Sequence, residues 1–448
     1  MHLSGTKCIN TSNHLEIGGC DTVELARKFG TPLYILDEAE IRERCRAYRE
    51  SFARVLPKSR VIYAGKALLT EAVCLLMNDE SVCLDVVSGG ELYTAMEAGF
   101  PADRIFFHGN NKSDAEIYLA LQYGVGCIVV DGMADLDAVN NLSLKARKKT
   151  RIYLRVTPGI EAHTHSYIQT GMQDSKFGLN ISSGAALAAA RTALGMSGVD
   201  LRGYHCHIGS QIFDLNSFSA AVDVMIGFMA QVRRETGAVF SELDLGGGLG
   251  SWYYEEDAPP GIPAYAEAIA EELFIMCKKF DYPVPEILVE PGRSLVGEAG
   301  TTLYTVGNIK EIPGIRKYVA VDGGMADNPR VALYQAVYRA AVANRVISAE
   351  NEKVTVTGRC CESGDMLLWD IALPRMEKGD LLAVFTTGAY NYAMSSNYNR
   401  IPRPAMILVA DGKADLILER ESYQDLVRLD RVPERLRMNR EGRDKIAL

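Results

Sequence analysis

Eight short apolar runs, rich in β-branched residues, alternate with longer amphipathic stretches through the first 300 residues of the chain. Runs of this kind are typical of parallel strands that are buried on both faces. The first five begin between 21 and 25 residues apart, which is the length of one strand plus one short helix. The eight runs are Val61–Ala64, Val82–Val87, Ile105–Phe107, Cys127–Val130, Ile152–Val156, Leu201–Cys206, Leu243–Leu245 and Ile287–Val289.

The stretches between these runs carry apolar residues at three- and four-residue spacing, as in Ser113–Tyr123, Ser217–Thr236 and Ala264–Phe280. That spacing predicts helices that pack one face against a sheet. Eight strand–helix units predict an α/β fold of the closed (β/α)8, TIM-like barrel type. A doubly wound open sheet is the alternative, because it also alternates strands with helices.

The pattern changes after Gly292, where apolar runs are separated mostly by turns and the only helical stretch is Val331–Asn344. These runs predict a mainly antiparallel C-terminal β domain. The first ~35 residues are too few to fold alone, but Pro32–Leu36 has the composition of a strand that could join this later domain. We therefore expect a cofactor-binding barrel over residues 37–285 and a β-rich domain, built from residues 1–36 and 286–448, that completes the active site.

Composition and charge exclude several classes of protein. The formal net charge of −9 gives no electrostatic basis for binding nucleic acid. No apolar run is long enough to span a bilayer, and the first residues lack the segments of an export signal. The ten cysteines include no Cys-x-x-Cys pair and fit a reducing compartment. We expect a cytoplasmic protein with neither a membrane nor a nucleic acid as partner.

Catalytic residues in a (β/α)8 barrel collect where the strands end. Lys66 follows the first run, where burial would lower its pKa and make it a candidate Schiff-base amine. A lysine at such a position is more often a surface residue. His205 and His207 alternate at the end of the sixth run, so they could form a metal pair on one face of a strand. We expect no metal site, because no third ligand recurs at a suitable spacing.

The seventh and eighth runs end in groups that suit a phosphate ester. Gly246-Gly247-Gly248 follows the seventh run, and the loops after these two strands are the usual phosphate site of such barrels. The eighth run ends in Glu290-Pro291-Gly292-Arg293, for which a structural salt bridge is the alternative interpretation. An amine, a phosphate cradle, an aromatic ring and a carboxylate on one rim are the groups that pyridoxal 5'-phosphate requires. We therefore predict pyridoxal 5'-phosphate as the cofactor.

Five motifs, spread in order over nearly the whole chain, carry a resemblance to a known family. They are Tyr63–Ala67, His205–Gln211, Gly246–Gly248, Glu290–Arg293 and Cys361–Asp365. Together they resemble the fold-type III pyridoxal phosphate-dependent decarboxylases, whose barrel is similar to that of alanine racemase. The stretches Pro158–His165 and Asp174–Gly178 are similar to the branch of this family that acts on diaminopimelate.

The resemblance implies a role for each residue that matches the family's site. Lys66 and Cys361 would be catalytic, the first as the Schiff-base lysine and the second as the acid that returns a proton. The cofactor-binding residues would be Lys66, Asp85, His207, Ser210, Gly247, Gly248, Glu290, Gly292, Arg293 and Tyr390, with Arg155 paired to Asp85. The substrate-binding residues would be Arg293, Arg330, Tyr334, Glu362 and Tyr390. In the family, Cys361 and Glu362 come from the partner subunit, so a homodimer with shared active sites is implied.

Glu290 favours decarboxylation, because a carboxylate keeps the pyridine nitrogen protonated and the ring a strong electron sink, whereas racemases have arginine there. Arg293 and Arg330 suit the distal carboxylate of a substrate. The expected reaction is conversion of meso-2,6-diaminopimelate to L-lysine and CO2, the last step of lysine biosynthesis. The alternative is a decarboxylase of another basic amino acid or of carboxynorspermidine. An inactive partner-binding homologue and a cofactor carrier without turnover are hypotheses from other classes, and retention of Lys66, Glu290 and Cys361 argues against the first.

Overall fold

The structure is a computed structural model that describes residues 3–56, 58–160 and 175–437 of the 448-residue chain. Its strands are β1 (Cys8–Ile9), β2 (Leu15–Ile17), β3 (Cys20–Asp21), β4 (Leu33–Asp37), β5 (Ser59–Ala64), β6 (Cys83–Val86), β7 (Ile105–Phe107), β8 (Cys127–Val130), β9 (Thr150–Thr157), β10 (Leu179–Asn180), β11 (Val199–His205), β12 (Glu242–Asp244), β13 (Glu286–Val289), β14 (Gly300–Ile312), β15 (Arg316–Val321), β16 (Ala340–Val342), β17 (Asn351–Thr357), β18 (Met366–Pro374), β19 (Leu381–Phe385), β20 (Ala405–Ala410) and β21 (Lys413–Leu418). Its α-helices are α1 (Thr22–Phe29), α2 (Glu38–Val55), α3 (Glu71–Asp79), α4 (Gly89–Glu97), α5 (Asp114–Tyr123), α6 (Met133–Lys145), α7 (Ala185–Gly195), α8 (Asn216–Thr236), α9 (Ile262–Lys279), α10 (Arg293–Val296), α11 (Arg330–Tyr334), α12 (Tyr423–Val427) and α13 (Glu434–Arg437).

Eight parallel strands form a closed barrel in the order β5, β6, β7, β8, β9, β11, β12 and β13. The pairing of β13 with β5 and of β8 with β9 leaves no open edge, so the alternative of an open sheet is wrong. Each of the eight predicted runs coincides with one of these strands. Buried side chains fill the interior, among them Phe106, Tyr153 and Leu288.

The barrel helices cover the strands with their apolar faces, as their sequence spacing predicts. Helix α5 shows how local sequence sets its ends: Ser113 and Glu116 form a capping box at its start, and Gly124 terminates it in the left-handed region at φ 84°. No helix within the described ranges combines the length and the apolar character that a bilayer crossing requires.

The second domain is a mainly antiparallel sheet in the order β18, β17, β15, β14, β4, β20 and β21, with β19 joining β14 to β16. Strand β4 pairs antiparallel with β14 and parallel with β20, in registers such as Leu36 opposite Gly300 and Ile35 opposite Ile407. The prediction that residues 32–36 join the later domain is therefore confirmed. Only the short helix α10 separates the last barrel strand, β13, from β14 of the second domain.

Two boundaries differ from those expected. Strand β13 (Glu286–Val289) pairs within the barrel, so the predicted barrel limit at residue 285 falls before its last strand and is wrong. The predicted helix over Val331–Asn344 is also wrong beyond Tyr334. Gln335 adopts φ 53°, which ends α11, and residues 340–342 pair with β19 instead. Sheet pairing there outweighs a helical apolar spacing.

Candidate active site

Two adjoining cavities lie where the barrel strands end, at the boundary with the second domain. The larger encloses about 470 Å³, which suits a small ligand, and the smaller about 30 Å³. Eight predicted site residues line the larger cavity: Lys66, His207, Ser210, Glu290, Arg293, Arg330, Tyr334 and Tyr390. The smaller cavity is bounded in part by the predicted residues Gly247, Gly248 and Gly292. The strand-end rule therefore located most of this site.

Lys66 lies one residue beyond β5, in the short 3-10 turn Gly65–Ala67, and its side chain enters both cavities. Burial lowers the pKa of Lys66, but the charges of Asp85, Tyr390 and Glu290 raise it more, so the pKa lies above its ordinary value. The expectation of a lowered pKa is wrong, because it considered burial alone and not the acidic groups that face the amine. The surface interpretation is also wrong, since the side chain lines the cavity.

Glu290 is fully enclosed at the base of the larger cavity between two histidines. His205 Nε2 lies 3.2 Å from Oε2, and His108 Nε2 lies 2.8 Å from Oε1. Burial would raise the pKa of Glu290, but the two imidazoles hold it well below its usual range. Burial lowers the pKa of His205 to about 4. His108, His205 and Glu290 each place one possible ligand atom within 4.8 Å of the other two, a spacing that would also suit a metal ion. His108 and Glu290 follow strands β7 and β13, far from His205 in sequence, so the sequence spacing around His205 did not reveal them.

Several buried polar atoms around Glu290 have no hydrogen-bond partner within the described chain. They include Glu290 Oε1, whose contact with His108 lacks hydrogen-bond geometry, and both carboxylate oxygens of Asp85. Asp85 lies beneath Lys66, and burial raises its pKa. The ion pair of Arg155 is with Asp131, at 3.7 Å, so the predicted pairing of Arg155 with Asp85 is not formed. Asp85 lines neither cavity, whereas Glu290 lines both, so the unpaired Oε1 of Glu290 is the acceptor available to a donor-bearing ligand.

The glycines of the smaller cavity approach neighbouring backbone too closely for any side chain. A Cβ on Gly247 would lie 2.1 Å from the Glu290 carbonyl oxygen, and one on Gly248, at φ 121°, would lie 2.6 Å from the Gly209 carbonyl oxygen. The Gly247 N–H donates to Nδ1 of His207 at 3.2 Å. Burial, with the charge of Lys66, lowers the pKa of His207 well below its ordinary value, so the ring is neutral. Gly247 thus orients the imidazole and also lets the backbone pack closely against Glu290 at the edge of the smaller cavity.

Substitution of Gly247 by alanine should weaken cofactor binding by about tenfold or more, since the added methyl group must displace the backbone of Glu290. Titration of the apoprotein with pyridoxal phosphate, followed by visible absorbance, measures this directly. Gly195→Ala is the matched control, because a Cβ on Gly195 meets nothing within 4 Å. Equal affinities for the two variants would contradict the assignment of a glycine cradle.

Two arginines from different elements meet on the cavity rim. Arg293 begins α10 beside the barrel and Arg330 begins α11 in the second domain, and both are buried. Arg293 donates to Tyr253 and Ser210 and lies 4.7 Å from the ring centroid of Tyr390. The structural salt bridge with Glu290 is therefore not formed. In the described part of the chain, no carboxylate lies within ion-pair distance of either arginine.

Cys361 and Glu362 are exposed and line neither cavity of their own chain. The Cys361 N–H donates to Oδ1 of Asn399 at 2.7 Å, on the surface of the second domain. A single chain therefore does not bring these two predicted residues together with Lys66. The stretch 161–174, which includes His163, His165 and Asp174 of the resemblance, lies outside the described residues.

Two residues of this site were not predicted from the sequence. His108 follows the third barrel strand directly, so the strand-end rule could have found it. Tyr253 lies five residues beyond Gly248, in a stretch without regular structure, and no sequence signal marks it. Its hydroxyl accepts hydrogen bonds from both Arg293 and Arg330.

Residues 38–297 match the model of the pyridoxal-dependent decarboxylase family, described as its pyridoxal binding domain. The chain belongs to this family. The matched region covers the whole barrel and ends just after α10, so it includes Lys66, His207, the glycine cradle and Glu290.

Individual members of the decarboxylase family match nearly the full chain. A diaminopimelate decarboxylase of Bacillus subtilis (strain 168) is 51% identical over 430 residues, which is 96% of this chain and 98% of the relative. A crystal structure of the M. jannaschii diaminopimelate decarboxylase in complex with L-lysine superposes with a TM-score of 0.90 at 37% identity, covering 96% of this chain and 99% of that one. The corresponding Helicobacter pylori complex gives 0.84 at 32% identity, covering 91% and 99%.

The residues present fit the family's cofactor, pyridoxal phosphate. Lys66 supplies the amine, and Gly247 and Gly248 border the small cavity beside it, which suits a phosphate group. Oε1 of Glu290, which makes no hydrogen bond within the described chain, suits a protonated ring nitrogen, and the neutral imidazole of His207 suits a ring face.

Proposed function

We propose that the chain decarboxylates meso-2,6-diaminopimelate to L-lysine and CO2, the last step of lysine biosynthesis. The observation that carries this proposal is the pair of buried arginines, Arg293 and Arg330, that line the cavity without a carboxylate partner in the described chain. Diaminopimelate has a second carboxylate at its far end, whereas ornithine and simple diamines have none. The diaminopimelate decarboxylases similar to this chain support the same substrate.

Pyridoxal phosphate, when bound, supplies an electron sink for the electron pair that CO2 leaves behind. Lys66 would hold the cofactor through its amine. Gly247, Gly248 and Gly292 border the smaller cavity, where the phosphate would lie, with Ser210 and Arg293 as side-chain donors. Tyr390 borders both cavities, so it can contact cofactor and substrate alike.

Glu290 would hold a proton on the ring nitrogen of the cofactor. Its pKa is kept low by His108 and His205, so it stays a carboxylate in spite of burial. Burial and the charge of Glu290 raise the pKa of neighbouring Asp244 well above its ordinary value, so that group carries the proton of the pair. Glu290 would therefore be the anion of the pair that the ring nitrogen meets.

Arg293 and Arg330 bind the distal carboxylate through forked N–H groups, and Tyr334 closes the cavity beside Arg330. This arrangement places the reacting carbon near Lys66 and the distal end near the second domain. Recognition by buried charge partners is strong enough to reject substrates that lack the group.

We further propose a homodimer with shared active sites, acting in the cytoplasm. Cys361 and Glu362 are exposed on their own chain, which supports the view that they complete the cavity of a partner subunit. Cys361 would there return a proton after CO2 has left, and Glu362 would bind the distal ammonium. The ten cysteines are all free, as in a reducing compartment.

Substitution of Arg330 by alanine should raise the KM for meso-diaminopimelate by about 10- to 100-fold, because a hydrogen bond to a charged group is lost. The dissociation constant of the cofactor should change little. Steady-state kinetics and cofactor titration of the same preparation measure the two effects. Arg54→Ala, which removes an exposed arginine on α2, is the control. An unchanged KM would contradict the assignment of Arg330.

The proposed substrate is tested by comparing kcat/KM for meso-diaminopimelate, lysine, ornithine, arginine and carboxynorspermidine. We expect meso-diaminopimelate to exceed every other compound by at least about 10³-fold, since the others lack a distal carboxylate in the required position. A higher value for ornithine or for carboxynorspermidine would contradict the proposed substrate while leaving the family assignment intact.

A further inference from the structure

Tyr253 joins the two arginines of the cavity rim through a single oxygen atom. Its hydroxyl accepts a hydrogen bond from Arg293 at 2.7 Å and another from Arg330 at 2.8 Å. All three side chains are buried, at 5%, 6% and 8% exposure. Arg293 and Arg330 line the larger cavity and Tyr253 does not, so the tyrosine can act on a bound ligand only through the guanidinium groups.

Two buried cations that converge on one point repel each other, and an acceptor between them offsets that repulsion. Tyr253 supplies this acceptor, since the described chain places no carboxylate beside either guanidinium. Burial raises the pKa of the Tyr253 hydroxyl, but the charges of Arg293 and Arg330 outweigh burial and lower it. The two hydrogen bonds, at 2.7 and 2.8 Å, hold both guanidinium groups on this one oxygen.

Both the ring and the backbone of Tyr253 are held by neighbouring residues. It packs edge to face against Tyr338, with centroids 5.4 Å apart and planes at 73°. Its backbone carbonyl accepts from Nε of Arg339 at 3.2 Å, and its N–H donates to Asp257 at 2.8 Å. The hydroxyl is thus held in place before any ligand arrives, which is the condition for a preorganised site.

We propose that Tyr253 is a positioning residue that fixes Arg293 and Arg330 as one receptor for the distal carboxylate of the amino-acid substrate. The inference rests on the proposed function and adds a specificity-determining residue to it. Tyr253 binds one terminal nitrogen of each arginine, Ser210 binds the other terminal nitrogen of Arg293, and both arginines line the cavity. A carboxylate bound there meets two guanidiniums whose relative position is already set.

The test uses two ligands that differ only in the distal carboxylate. L-lysine, the product, retains that group, whereas cadaverine lacks it. In Tyr253→Phe, which keeps the ring and its packing on Tyr338, the inhibition constant of L-lysine and the KM for meso-diaminopimelate should both rise by about tenfold or more. The inhibition constant of cadaverine, the kcat and the affinity for pyridoxal phosphate should stay within about twofold of the wild-type values.

Tyr282→Phe is the matched control, because Tyr282 is a buried tyrosine whose hydroxyl bonds only to the backbone of Phe240. Its L-lysine affinity should equal that of the wild type. A double-mutant cycle then measures whether Tyr253 and Arg330 act on KM together, which a purely structural role of Tyr253 does not predict. In the Arg330→Ala background, Tyr253→Phe should have little further effect on KM, because the receptor is already dismantled.

Three results would overturn the proposed positioning role of Tyr253. Equal L-lysine affinities in Tyr253→Phe and wild type would overturn the inference, as would additive effects in the double-mutant cycle. Loss of cofactor binding in Tyr253→Phe would also overturn it, by assigning the hydroxyl to the cofactor site or to the fold. A wild-type protein that binds cadaverine as well as L-lysine would instead contradict the proposed function, so the two failures are distinguishable.

Discussion

Replacement of Lys66 by alanine should lower kcat for meso-diaminopimelate by about 10³-fold or more, because the variant lacks the amine that is proposed to bind the cofactor covalently. Lys66 is the only lysine among the described residues that line the two cavities. The visible absorption band of the bound cofactor should also shift to that of free pyridoxal phosphate.

Absorbance spectra and turnover of the purified variant test this prediction together. Lys58→Ala is the control, since Lys58 is exposed at the opposite end of β5. Methylamine added to Lys66→Ala should recover part of the activity, because it replaces the missing amine. An unaltered absorption band in Lys66→Ala would place the covalent attachment elsewhere.

Substitution of Cys361 by alanine should lower kcat by about 10²- to 10⁴-fold, which is the range for loss of a general acid. A mixture of inactive Cys361→Ala and Lys66→Ala subunits should recover about a quarter of the wild-type activity. Random exchange makes about half the dimers mixed, and each mixed dimer of a symmetric pair has one intact site.

Subunit mixing separates the shared-site proposal from its rivals. Cys8→Ala, which removes another exposed cysteine, should keep full activity alone. If the mixture of Cys361→Ala and Lys66→Ala shows proven subunit exchange but no recovery, then Cys361 does not act across a dimer interface. Recovery of activity would support both the homodimer and the role of the exposed Cys361-Glu362 pair.

The barrel was predictable because each of its strands is an apolar run, and apolar composition is a local property of the sequence. The site was predictable for a related reason. A closed barrel collects its strand ends on one rim, so Lys66, His207, Gly247 and Glu290 meet although they are distant in sequence. The family resemblance added roles for these residues that spacing alone does not assign.

The remaining features depend on contacts between distant segments, which a sequence pattern does not contain. The raised pKa of Lys66 follows from the acidic groups that face it in the fold. The low pKa of Glu290 follows from its contact with His108, which is far from it in sequence. Residues 340–342 lie in a stretch with helical spacing but pair with β19, because a sheet edge is available there. Tyr253 became visible as part of the site only when two arginines met at its hydroxyl.

The central claim is that this chain removes one carboxylate from meso-diaminopimelate and leaves the other end intact. The most direct measurement incubates the purified protein, loaded with pyridoxal phosphate, with meso-diaminopimelate and quantifies CO2 and L-lysine in the same sample. We expect the two products in equal amounts, and neither in the absence of the cofactor. Absence of CO2 from meso-diaminopimelate, with release from ornithine or another basic amino acid under the same conditions, would contradict the account.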